Sequence, residues 1–152
     1  MLYNTENVIK GRIAEAIVEE MLREADYEVY RFGYESIVQN LVQDRNRPVK
    51  GGVSDTLKGM PDFLVVKDKR PYFVEVKYSK KGKLNPEKLM KKWGAGSVIL
   101  AFPFSLYFRI YRIKEFTEGH DLIDLKDDVF IKVSENIIQK YGQLVVKYLG
   151  GK

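Results

Sequence analysis

Pro61-Asp62-Phe63-Leu64-Val65-Val66-Lys67-Asp68-Lys69-Arg70-Pro71-Tyr72-Phe73-Val74-Glu75-Val76-Lys77-Tyr78 is the stretch whose reading decides the fold. Met60 to Val66 and Tyr72 to Tyr78 are strand runs rich in β-branched and aromatic residues, and Lys67-Asp68-Lys69-Arg70-Pro71 between them has the turn chemistry of a hairpin. The two strands are expected to pair antiparallel. A turn centred near Lys69 sets the register: residues whose numbers sum to about 137 or 138 face each other, which brings Asp62 opposite or diagonal to Glu75. Glu75 and Lys77 are two positions apart and share one face, while Tyr72, Val74, Val76 and Tyr78 take the other. Two carboxylates and an ammonium thus converge on an apolar strand, where charges are costly unless paired or bound to a metal.

Outward from the hairpin, the chain reads as alternating helices and strands. Upstream, Asn4 or Thr5 caps a helix over about residues 5 to 25, with Ile9, Ile13, Ile17 and Met21 and then Ala14, Val18, Leu22 and Ala25 at helical spacing. Tyr27 to Phe32 alternates as a strand ending at Gly33. Ile37 to Val42 suits a short helix, and Asp44 to Gly59 a long loop. Downstream, Asn85-Pro86-Glu87 opens a helix that stops near Gly94, and Ser97 to Phe102 is a buried strand. Leu106 to Ile113 is a further strand and Val129 to Val133 a weak last one. Ser134 then caps a final helix stopped by Gly150 and Gly151. The expected fold is α/β, a mixed sheet flanked by helices, with residues 1–152 forming a single domain.

Charge is unevenly spread. The chain carries 26 Lys plus Arg against 21 Asp plus Glu, net +5. The segment from Lys58 to Lys92 alone carries 11 basic residues against four acids, leaving the rest net negative. Such a stretch suits a phosphate backbone, though a solvated charged surface is the alternative. With no Cys and a single histidine, His120, thiolate and histidine metal sites are excluded, so any metal must be held by oxygen. His120 reads as a surface residue. Plentiful Lys and Glu with no Cys lean weakly towards a thermophile. No apolar run is long enough to span a membrane, and the N-terminus lacks a signal-peptide pattern, so a cytoplasmic location is expected. Phosphate-loop and serine-elbow motifs are absent.

Asp62, Glu75 and Lys77 together outline a Mg²⁺-dependent phosphodiesterase site, with Mn²⁺ a substitute. A surface salt-bridge cluster is the alternative from the hairpin alone. Pro61-Asp62 followed by Glu75-Val76-Lys77 resembles the signature of the PD-(D/E)xK nuclease superfamily, and Gly11-Arg12-Ile13-Ala14-Glu15 looks like its first-helix acidic element. The resemblance implies a restriction-endonuclease-like α-β-β-β-α-β core, here extended by a C-terminal helix. It extends over roughly residues 5 to 113 and, within the superfamily, is most like archaeal Holliday junction resolvases and restriction-like endonucleases.

Carried over, the resemblance implies that Asp62, Glu75 and the carbonyl of Val76 ligate the metal. Lys77 orients or deprotonates the attacking water, and Glu15 binds a second metal or an outer water. Arg70, Lys80, Lys81 and Lys83 are the candidate phosphate contacts. Branched or duplex DNA is the expected substrate and a homodimer the expected assembly, since cutting two strands needs two sites. Two other readings remain open: a non-catalytic nucleic-acid-binding module that keeps the nuclease fold, and a small interaction domain with a chance motif. The segment between Gly33 and Gly59 and the final helix depart from the resolvase pattern.

Overall fold

A computed structural model describes residues 4–32, 61–82, 96–112 and 122–150. The expected short helix at 37–42, the loop at 44–59, the helix opening at 85, Lys83 and His120 lie outside the described residues.

The first helix, α1, spans Thr5–Glu24. Asn4 caps it, its side chain accepting the Asn7 N–H at 3.0 Å, and Ala14, Ile17, Val18, Met21 and Leu22 form its buried stripe. Strand β1, Glu28–Arg31, follows, and then β2, Phe63–Lys67, and β3, Arg70–Tyr78. The sheet continues with β4, Ser97–Ala101, β5, Phe108–Arg112, and the short β6, Ile123–Asp124. The second described helix, α2, spans Glu135–Leu149 and starts from Ser134, whose hydroxyl accepts the Ile137 N–H.

All six strands lie in one mixed sheet in chain order, β1-β2-β3-β4-β5-β6. Only β3 and β4 pair parallel, and the chain between Tyr78 and Ser97 is long enough for the crossover such a pair needs. The expected α/β class and mixed sheet are therefore observed. The hairpin register is also as expected: Phe63 faces Val74 and Lys67 faces Arg70, a sum of 137. Asp68 and Lys69 make the two-residue turn, both with positive φ, 53° and 65°. Two left-handed residues match the strand twist, so the tight turn holds the register although neither is glycine.

The two helices lie against each other over one face of the sheet. Val74 and Val76 of β3 share its core with α1 and with Ile138, Tyr141, Val145 and Leu149 of α2. Glu75 and Lys77 alternate to the opposite face.

Three expectations are corrected. Val129 to Val133 is not a strand. It is an irregular segment after a single 3₁₀ turn, Leu125–Asp127, and the last strand is instead β6. The physical reason is Asp128: its carboxylate accepts the N–H groups of Phe130 at 3.2 Å and Ile131 at 2.7 Å, taking donors a sheet ladder would need. Leu106 and Tyr107 do not begin β5, because their positive φ values, 70° and 58°, make the turn that precedes it. β2 starts at Phe63, which leaves Pro61 and Asp62 just outside the sheet, and Met60 lies outside the described residues.

Candidate active site

Asp62 is positioned by the place where the β2–β3 ladder stops. Its backbone carbonyl accepts the Phe32 N–H at 3.1 Å, and its carboxylate Oδ2 accepts the Val76 N–H at 2.7 Å. The side chain of one strand end thus serves as the ladder acceptor for the next strand. This ties Asp62 to the backbone between Glu75 and Lys77. Glu75 is 6% exposed, one of three buried polar residues among those described, and Lys77 Nζ stands 3.8 Å from Glu75 Oε1. Across the sheet Glu75 pairs with Val98, and Val98 with Tyr111, so Glu75 and Tyr111 lie in one row on one face. Burial pushes the Tyr111 hydroxyl well above the ordinary tyrosine range, and the Glu75 charge adds to it.

These groups open onto a cavity of about 670 Å³. Its lining joins Asp62, Glu75, Val76 and Lys77 from the hairpin with Glu15 from α1, so four of the residue positions singled out in the sequence meet α1's acid on one surface. Among the described residues no group of three or more acidic or histidine side chains is arranged to hold a metal ion by itself. The carboxylates on this lining are Asp62, Glu75, Glu15 and Glu6, so the acidic donors are all oxygens. That chemistry suits a hard divalent cation such as Mg²⁺, which completes its shell with water and substrate oxygens rather than an all-protein cage.

The expected phosphate contacts are divided. Lys80 lines the cavity and Lys81 follows it, exposed, in the turn after β3. Arg70 stands at the other end of β3, on a different cavity. Basic residues the sequence does not single out also line the first cavity: Lys10 and Arg12, with Gly11 between them and Asn7 one turn before on α1. The helical period offers a signal for them, since Asn7, Gly11 and Glu15 are four apart on one stripe and Lys10 and Arg12 flank it. Gly11 widens the mouth, because a Cβ built there would meet nothing within 4 Å.

No family model matches this chain, and no curated protein does. Among solved structures, it is similar to a bacterial homing endonuclease, I-Ssp6803I, at 15% sequence identity and a TM-score of 0.37, over 96% of this chain and 94% of that one. Among the described residues no helix is long and apolar enough to cross a membrane.

Proposed function

We propose that this protein is a metal-dependent DNA endonuclease of the PD-(D/E)xK type. The observation that carries the reading is the 2.7 Å hydrogen bond from Val76 N–H to the Asp62 carboxylate, which gathers Asp62, Glu75 and Lys77 at a cavity that also takes Glu15. Charged groups on a central strand of a sheet need a reason to be there, and a phosphodiester site supplies one.

Asp62, Glu75 and the Val76 carbonyl would hold the metal, and Glu15 would serve a second ion or an ordered water. A bound Mg²⁺ supplies positive charge that polarises the phosphodiester and acidifies water. Lys77 orients the attacking water and offsets the negative charge that builds on the phosphoryl oxygens as the new P–O bond forms and the old one breaks. Lys10, Arg12 and Lys80 surround the cavity with cations for the flanking phosphates. Cutting both strands of a duplex or a junction requires two such sites, so the working assembly is a pair of chains.

The test is cleavage of labelled four-way junction, flap, duplex and single-stranded DNA in Mg²⁺ or Mn²⁺, comparing wild type with Glu75→Gln and Asp62→Asn. Cutting by wild type alone, with binding retained in both variants, is the expected result. Binding without cutting under either metal replaces the reading with a non-catalytic binding module.

A further inference from the structure

The far end of the hairpin builds a second cavity, of about 460 Å³, that the proposed chemistry does not use. Tyr27, Tyr72 and Phe130 line it together with Lys67, Arg70 and Lys132, and Asp68 is the acid among its described lining residues. Arg70 precedes Glu75 by five positions on β3, about 16 Å along the strand at about 3.3 Å per residue, and the odd spacing puts it on the face of Tyr72 and Val74 rather than that of Glu75.

The aromatic wall is held firmly. Asp128 takes the Arg112 guanidinium in two bonds, 2.6 and 2.7 Å, and also the Phe130 and Ile131 N–H groups. The Tyr27 hydroxyl accepts the Lys132 N–H at 2.9 Å, and the Arg112 guanidinium lies 4.5 Å from the Phe130 ring centroid. Between these ties Val129 keeps 68% and Phe130 48% of their surface in solvent. A segment anchored on both sides that still presents two large apolar side chains to water is shaped for a partner. The surrounding cations specify an anionic one. An aromatic ring set among Lys and Arg matches nucleic acid, whose phosphates meet the cations while a base meets the ring.

We propose that this hairpin-end cavity is a second DNA contact. Arg70 and Lys132 hold backbone phosphates, and Phe130 stacks on a base left open at a branch, nick or single-stranded end. The proposal rests on the endonuclease reading and refines its substrate class.

The experiment measures binding, without divalent metal, of an intact duplex and of the same duplex with a single-stranded arm, over a range of salt concentrations. Arg70→Ala/Lys132→Ala is expected to weaken both complexes about tenfold and to lower the slope of log affinity against log salt by about 2. Phe130→Ala is expected to keep the slope and to cut the preference for the armed duplex by about fivefold or more, the loss of one stacked base. Phe130→Leu, which keeps apolar bulk against Arg112, should lose the same preference while melting like wild type.

Unchanged affinity and slope in these variants overturn the proposal. So does a dimer that dissociates in Phe130→Ala on sedimentation, since the cavity is then covered by a second copy of the chain. Wild type that binds through this cavity but cuts with neither metal removes the endonuclease reading and leaves the contact. Wild type that cuts while all variants bind alike removes the contact and leaves the endonuclease.

Discussion

Two regions of this molecule each contain a buried carboxylate and a helix-interior glycine, yet they treat them in opposite ways. Along β5, at its Arg112 end, Asp128 is saturated: Arg112 grips both oxygens and two N–H groups donate to one of them. Gly142 of α2 is equally closed, because a Cβ built there would run into the Tyr107 ring. At the start of α1, Gly11 faces open space, and Glu75 and Asp62 line a cavity beside an ammonium 3.8 Å from Glu75. The closed pair holds the sheet to its surroundings. The open pair leaves room for something that is not protein. Burial does not distinguish the two carboxylates, since both Glu75 and Asp128 are buried; what separates them is that Glu75 lines a cavity.

The comparison can be broken most forcefully at Asp128. Asp128→Ala strands the Arg112 charge, and breaking a buried pair in this way costs about 3–5 kcal/mol, so the melting temperature should fall by roughly 10 °C. Cleavage per folded molecule should be unaffected. Glu75→Ala should show the reverse, a loss of about 10²–10³ in cleavage rate with melting at or above the wild-type temperature. If Glu75→Ala instead melts as low as Asp128→Ala, Glu75 is structural and the contrast fails.

Gly142→Ala should destabilise by about 1–3 kcal/mol, because the Tyr107 ring must move, and urea unfolding measures it directly. A further, smaller effect is in acid. Burial opposes the ionisation of Asp128, but Arg112 and the Ile131 and Phe130 N–H groups outweigh it and hold the carboxyl below its ordinary range. A depressed carboxyl favours the folded chain above its unfolded value, ordinarily 3.8, and that contribution is lost as pH falls through the lower folded value. Wild-type stability should therefore drop below about pH 4, with Asp128→Asn flatter across that window.

Gly11→Ala carries the smallest expected change and the sharpest test of openness. With open space around its Cβ it should raise stability by about 0.5–1 kcal/mol, the ordinary helix gain. Gly11→Leu should fill the mouth and slow cleavage while the helix still forms.

Much of the site was legible in the residues because its decisive relations are short-range. The turn at Asp68-Lys69 sets Phe63 opposite Val74 and so brings Asp62, just beyond the ladder, to the Val76 N–H, and Glu75 and Lys77 share a face because strands repeat every two residues. The acid on α1 was equally readable, since helical spacing sets it beside Gly11. The Val129 to Val133 segment imitates a strand by its alternation, whereas Asp128 takes the Phe130 and Ile131 N–H groups and is itself held by Arg112, sixteen residues away in sequence.

By itself, then, the sequence determined the hairpin, its register, the faces of β3 and the two helix stripes, all matters of dihedral preference and periodicity over a few residues. Only the tertiary structure decided which of these surfaces meet. Packing of α1 over the sheet brought Lys10, Arg12 and Glu15 to the hairpin's carboxylates, and the length of an extended strand carried Arg70 away from Lys80 to a cavity of its own. Residues of like charge and near neighbours in sequence were separated because a strand is a straight spacer, whereas distant ones were joined because apolar faces must cover one another.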